Sequence, residues 1–306
     1  MHKFKILISF LFSITFYYNT SAQSDTALIR SHLKTLTKTP QFRNHSNIDQ
    51  LNLTAGYIRN IFQKSTDSVS VQEYNVDQKT YKNIICSFGT ENQKRIIVGA
   101  HYDVCGDQEG ADDNASGITG LLELSRLLKG KKLNYRIDLV AYTLEEPPYF
   151  RTELMGSYIH AKSLQESKAD VFGMISLEMI GYFKDEAKSQ SYPIGLLSIK
   201  YGNKGNYITL VKKFGSGAFV SQFSKNFKAT KSILTKTFAS PPSLPGIDFS
   251  DHLNYWNFGY DALMITDTSF YRNKNYHQKT DTMETLDISR MGKVIDGLYN
   301  GLISLK

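Results

Sequence analysis

The chain has 306 residues, 41% of them apolar and 21% charged, with a formal charge of +7. That length holds one large domain, or two small ones, with a real hydrophobic core, and the composition excludes disordered, fibrous and collagen-like chains. The positive excess comes without the aromatic–basic motif of a nucleic-acid module, so no nucleic-acid partner is expected.

Residues 1–5 carry Lys3 and Lys5 and no acid, residues 6–18 are nearly all apolar, and residues 19–23 are small and polar. This is the plan of a secretory signal peptide cleaved after Ala22. The expected organisation is a leader at 1–22 and a single domain at 23–306, secreted or periplasmic. The apolar run is shorter than the roughly 20 residues that span a bilayer, the residue directly after the cleavage point is Gln23 rather than a cysteine, and no second long apolar run appears. Stable membrane insertion after cleavage is therefore not expected. Losing the two lysines leaves +5.

Residues 24–37 and 48–63 read as amphipathic helices, and 68–76 alternates as a strand does. Residues 83–88 and 95–101 are apolar and rich in β-branched side chains, and the Gly89-containing turn between them suggests a hairpin. Residues 115–128 repeat leucine at helical spacing and close at Gly130. Strands are expected at 135–144, 172–179, 194–200 and 261–266, and helices at 156–164 and 286–303. This alternation predicts an α/β fold: a mixed, mostly parallel central sheet sandwiched between helices. Ligands of such sheets gather beyond the carboxyl ends of the strands.

Two local features stand apart. Residues 187–247 hold nine lysines and no Asp or Glu, which reads as a solvated face or as a basic rim favouring anionic substrates. The two cysteines, Cys86 in a strand-like run and Cys105 in a loop, are expected to remain separate thiols.

The chemically loaded residues fall at the expected strand ends. His101 closes an apolar run, and Asp103, two residues on, shares its face in an extended chain; there it can orient the imidazole through its second nitrogen. Asp112 and Asp113 lie among small residues just before a helix, as N-terminal capping acids or as ligands, and chemistry does not choose between them. Glu145 and Glu146 end a strand, where burial is costly without partners. Glu146 reads as a metal ligand and Glu145 as the base that deprotonates water. Glu178 is the only charge in a core-like strand, which a second metal would explain. His277 precedes the last helix.

Together these motifs resemble the zinc aminopeptidases of metallopeptidase family twenty-eight, which include bacterial leucyl aminopeptidases and glutamate carboxypeptidases. The motifs are His101-x-Asp103, Gly110-Ala-Asp-Asp113-Asn-Ala-Ser-Gly117, Glu145-Glu146, Glu178-Met-Ile-Gly181, Ser250-Asp251-His252 and Tyr276-His277-x-x-x-Asp281. The likeness runs over roughly residues 83–306. It implies two Zn2+ ions per chain, one held by His101, Asp113 and Glu178 and one by Asp113, Glu146 and His277. It makes Asp113, not Asp112, the bridge. It also implies a catalytic pair of Glu145 as base and Tyr276 at the oxyanion, with Asp103 and Asp251 supporting the ligands.

Two departures bear on substrate. Glu178 stands where many aminopeptidases of the family have Asp. Residues 147–155, with two prolines, intervene before Gly156-Ser157, so Tyr149 and Arg151 become candidate substrate contacts, and the resemblance, which places Ser250-Asp251-His252 near the cleft, adds His252 as a candidate substrate wall. Arg151 offers a bidentate partner to a carboxylate. The expected activity is exported peptide hydrolysis, aminopeptidase first and carboxypeptidase or dipeptidase second. A single-zinc glutaminyl cyclase is third, and a binding-only relative, which has no need of Glu145, is fourth.

Overall fold

A computed structural model describes residues 23–306; the leader expected at 1–22 lies outside the described residues. Helix α1 (Thr26–Thr37) begins where the Asp25 carboxylate accepts from the N–H groups of Ala27 and Leu28, satisfying donors that a helix start leaves free. It buries Ile29, Leu33 and Leu36 on one stripe. Helix α2 (Ile48–Gln63) does the same with Leu51, Ala55, Ile58 and Phe62.

Strand β1 (Val69–Val76) turns through Asp77 and Gln78, both at positive φ, into β2 (Lys79–Phe88). Two successive left-handed residues match the twist of a tight hairpin, and Val76 pairs with Lys79. After β3 (Arg95–His101) and α3 (Gly117–Leu128) comes β4 (Arg136–Tyr142), which is antiparallel to β2 and parallel to β3. The hairpin expected around Gly89 is thus corrected: β4 inserts between β2 and β3. The Gly89 turn is real, but β3 is buried along almost its whole length and takes parallel neighbours on both sides, β4 and β5 (Val171–Glu178). Helix α4 (Gly156–Glu166) connects β4 to β5.

The expected strand at 194–200 is also corrected. The chain there forms turns and the short helix α5 (Leu197–Tyr201), with Leu196 and Ile199 exposed. Its apolar run covers no core face, so nothing drives it into the sheet. The lysine-rich stretch instead supplies β6 (Ile208–Lys213), α6 (Ala218–Ala229) and β7 (Thr235–Ser240). Helix α7 (His252–Asn257), β8 (Ala262–Thr266) and α8 (Ile288–Ile303) complete the chain.

The sheet order is β1-β2-β4-β3-β5-β8-β6-β7. The β3–β4, β3–β5, β5–β8 and β6–β7 pairs are parallel and the other three antiparallel, so the expected mixed, mostly parallel α/β sheet is present. Side chains alternate across it. Ile96, Val98 and Ala100 of β3 join the core formed with α1, α2, α3 and α8, while Ile97 joins Val140, Tyr142, Met174, Leu164 and Tyr255 on the face covered by α4 and α7. Cys86 and Cys105 are both free. Among the described residues, no helix is long and apolar enough to cross a membrane.

Candidate metal centre

The carboxyl ends of β3, β4 and β5 bring the candidate residues together. His101 is the last residue of β3 and Glu178 the last of β5. Leu144, just before the glutamate pair, has φ 61°, and Met179, just after Glu178, has φ 51°. Non-glycine residues rarely adopt this left-handed backbone, and sites keep it where surrounding contacts enforce it. At Met179 the enforcement is visible: its N–H donates to Asn114 Oδ1 (3.1 Å), while Asn114 Nδ2 donates to the Leu177 carbonyl (2.8 Å). Gly117 is required beside this clamp, because a Cβ there would run into Asn114 and the Leu177 carbonyl.

Asp103 holds two parts of the site. Its carboxylate accepts from the N–H groups of Glu145 (3.2 Å) and Glu146 (3.1 Å). Its carbonyl, not its carboxylate as the sequence suggested, makes the closer approach to His101 Nδ1, 3.2 Å against 3.6 Å. With Nδ1 turned to that carbonyl, Nε2 faces the other donors with its lone pair.

Asp113 stands between two clusters. Its Oδ1 is 3.3 Å from His101 Nε2, and its Oδ2 is 3.1 Å from His277 Nε2. Glu178 Oε2 lies 3.4 Å from His101 Nε2 and Glu146 Oε2 lies 3.1 Å from His277 Nε2. Glu145 Oε2 approaches His101 Nε2 to 3.8 Å. Asp112 faces away, accepting from Gly181 N–H (3.0 Å) and Asn273 Nδ2 (2.8 Å).

Burial dominates the electrostatics. It pushes the Glu145 carboxyl well above its ordinary value, with His101 opposing and Glu146 and Glu178 adding to the rise. Burial and the neighbouring Asp113 raise Glu146 to about 8. Burial would also raise Asp113, but its contacts with His101 and His277 hold it below the usual carboxylate range. Burial opposes protonation of His277, yet the carboxylates of Asp113 and Glu146, each 3.1 Å away, lift it to about 11. The centre thus gathers negative charge that only protons or a cation can offset.

The donors fit metal ions. His101 Nε2, His277 Nε2 and Glu146 Oε1 are buried without a hydrogen-bond partner. Ligand atoms about 2.0 Å from a tetrahedral ion stand roughly 3.3 Å apart, which matches the 3.1–3.4 Å separations within the two clusters. Mixed imidazole and carboxylate donors suit zinc.

The remaining candidates divide. Tyr276 stacks on the His277 ring at 3.8 Å between centroids. Burial, then the charges of Asp113, Glu146, Glu145 and Glu178, drive its hydroxyl far above its ordinary value, so it stays a donor. Asp251 is fully buried, and burial raises it to about 7; the preceding Ser250 donates to Glu178 Oε2 at 2.7 Å. His252 is corrected: it is fully buried, bonded to the Ile247 carbonyl and packed edge-on against Trp256, and offers a substrate no surface. Arg151 does not stand free to read a carboxylate, because it pairs with Asp248 at 2.6 Å over the rings of Phe150 and Phe249. Tyr149 packs against His45 and reaches Asp77.

Three supports had no role assigned from sequence. Asp281 accepts from the N–H groups of Asp112 and Asp113, each at 3.0 Å; its place in the Tyr276-His277 motif was the available signal. Asn114 makes the clamp described above. Buried Arg43 bonds the carbonyls of Leu36, Tyr102, Glu109 and Gly110, with no local pattern to announce it. A cavity also adjoins Glu178, walled by Tyr192, Tyr207, Phe238, Ile247, Phe249 and Met264.

A mixed α/β sheet whose strand ends hold two histidine–carboxylate clusters joined by one aspartate defines a candidate metallohydrolase centre. The model of Peptidase family M28 matches residues 83–300, and the chain belongs to that family, whose members typically bind zinc. The chain is 39% identical to the uncharacterized protein YfbL of Escherichia coli (strain K12), over 99% of this chain and 98% of YfbL. It is 25% identical to Leucine aminopeptidase 1 of Ajellomyces capsulatus over 68% of this chain, spanning about half, 52%, of that relative. Among solved structures, the glutaminyl cyclase of Fimbriiglobus ruber superposes with a TM-score of 0.72 at 18% identity, covering 94% of this chain and 97% of that one; this likeness is one of fold.

Proposed function

We propose that the chain is an exported two-zinc aminopeptidase that removes N-terminal residues from peptides. The observation that carries this reading is the pair of clusters sharing Asp113, with Glu145 beside them. His101, Asp113 and Glu178 would hold one ion and Asp113, Glu146 and His277 the other. Zinc supplies Lewis acidity, which acidifies water and polarises the scissile carbonyl.

The chain's own residues do the rest. Glu145, whose carboxyl burial shifts upward, takes the proton of the attacking water and returns it to the leaving amine. Tyr276 keeps its hydroxyl proton and donates to the oxyanion. Asp103 fixes the Glu145–Glu146 turn, and Ser250 fixes Glu178. The aromatic cavity beside Glu178 suits a large apolar first residue, and the likeness to a leucine aminopeptidase supports the same choice.

The test is a panel of aminoacyl chromogenic amides, dipeptides and N-terminally blocked peptides, assayed with and without chelator, with zinc counted per chain. Cleavage of unblocked substrates only, abolished by chelator, with close to two zinc ions is the expected result. Chelator-insensitive cleavage would overturn the metal mechanism. One zinc per chain with cyclisation of N-terminal glutamine would favour the cyclase reaction instead.

A further inference from the structure

The two metal clusters differ in one neighbour. Cys105 lies four residues beyond His101, in the loop leading from β3. Its Sγ, a carboxylate oxygen of Glu146 and a ring nitrogen of His277 all lie within 4.8 Å of one another. Among the described residues, no thiol accompanies the group formed by His101, Asp113 and Glu178. Cys105 is half-buried and unpaired, and Glu146, only 4% exposed, has a buried Oε1 with no hydrogen-bond partner. A buried carboxylate oxygen without a partner is costly. Here it shares its surroundings with an imidazole and a thiol, the donor types that bind zinc most readily.

We infer that Cys105 Sγ is a further ligand, as thiolate, of the ion held by Asp113, Glu146 and His277. This rests on the two-metal reading above. Coordination breaks the S–H bond and forms a sulfur–metal bond, and the proton leaves to solvent. The consequence is an asymmetric centre. One ion has only nitrogen and oxygen donors. The other gains a soft sulfur donor beside its imidazole and carboxylates. The ion beside Cys105 is the more firmly kept of the two.

Cobalt(II) tests this, because a thiolate bound to cobalt gives an intense near-ultraviolet charge-transfer band that nitrogen and oxygen donors do not. The whole protein is loaded with cobalt and the metal counted in the same sample. The expected result is the band in the wild type and in Cys86→Ala, whose thiol is buried in β2, and its loss in Cys105→Ser. The same substitution should weaken binding of one ion by at least the roughly 10-fold that losing even an outer partner of a ligand costs, leaving the other ion unaffected. Two bound cobalt ions without the band, or a band that survives in Cys105→Ser, overturns the inference and leaves the peptidase reading intact. Failure to bind cobalt at all defeats both.

Discussion

Two parts of the molecule meet at Glu178 from opposite sides. On one side lie the ends of β3, β4 and β5, where the ligand residues are mostly buried and acidic and are fixed by backbone N–H groups that donate to Asp103, Asn114 and Asp281. On the other lies the segment between β5 and α7, which lines the cavity with aromatic rings and, over residues 187–247, carries nine lysines and no acid. The first part is built to hold charge at set distances, the second to hold an apolar group by shape. The contrast separates rate from selectivity: changes at the strand ends should alter turnover for every substrate, and changes in the cavity wall should alter the ratio between substrates.

The largest effect should come from Glu145→Gln. It keeps the shape and removes the base, so kcat should fall roughly 10²–10⁴-fold on all substrates, with metal content unchanged by elemental analysis. A loss confined to substrates with large first residues would place Glu145 in selectivity and break the contrast. Next is Asp281→Ala, which touches no substrate. It frees the N–H groups of Asp112 and Asp113 and so loosens the shared ligand. Metal affinity should weaken by roughly 10–100-fold, read by chelator competition, and turnover at saturating metal should recover most of its value.

The same contrast governs what the sequence made legible. The strand-end residues announced themselves because a charge inside an apolar run, as at Glu178 or after β4, has few physical excuses. Even there, Asp112 and Asp113 look alike in sequence, and what separates them is where their carboxylates turn, Asp112 to Gly181 and Asn273 and Asp113 to His101 and His277. Arg43 reaches three of its four carbonyls, those of Tyr102, Glu109 and Gly110, from more than fifty residues away, a relation no local pattern carries. Across the cleft, residues 194–200 have the apolar pattern of a core strand, yet Ile194, Leu196 and Ile199 are exposed and the segment joins no sheet. Strands β6 and β7 carry little strand signature because Lys212, Lys213 and Lys236 dilute the alternation that marks a strand. Near Gly89 the turn is local and legible, but the partner of β2 is set by sheet order, which places β4 between β2 and β3.

In the cavity wall, Phe249→Ala should open space where Phe249 packs between Phe150 and Phe270. Selectivity for phenylalanine over alanine as first residue should fall by roughly 10-fold or more, within the range of pocket contacts. Turnover of the alanine substrate should change only a few-fold. An equal loss on both substrates would mean that this wall supports the metal centre rather than the substrate.

The smallest effect is expected at Arg151, where the sequence suggested a carboxylate reader. The structure pairs it with Asp248 at 2.6 Å on the exposed rim, 49% of the arginine side chain being accessible. An exposed ion pair contributes about 0–1 kcal/mol and is screened by salt, and this one ties the 147–155 loop to the loop that carries Phe249. Arg151→Ala should therefore act on the wall as a whole. Rates on dipeptides and on aminoacyl amides should drop by the same factor, within about 5-fold, and the drop should shrink at high salt, where the wild-type pair is already weakened. A loss on dipeptides alone, with amides untouched, would show the guanidinium meeting a substrate carboxylate despite Asp248. It would then move Arg151 from the frame of the cavity to its recognition surface, giving the apolar side of the cleft one charged contact of its own.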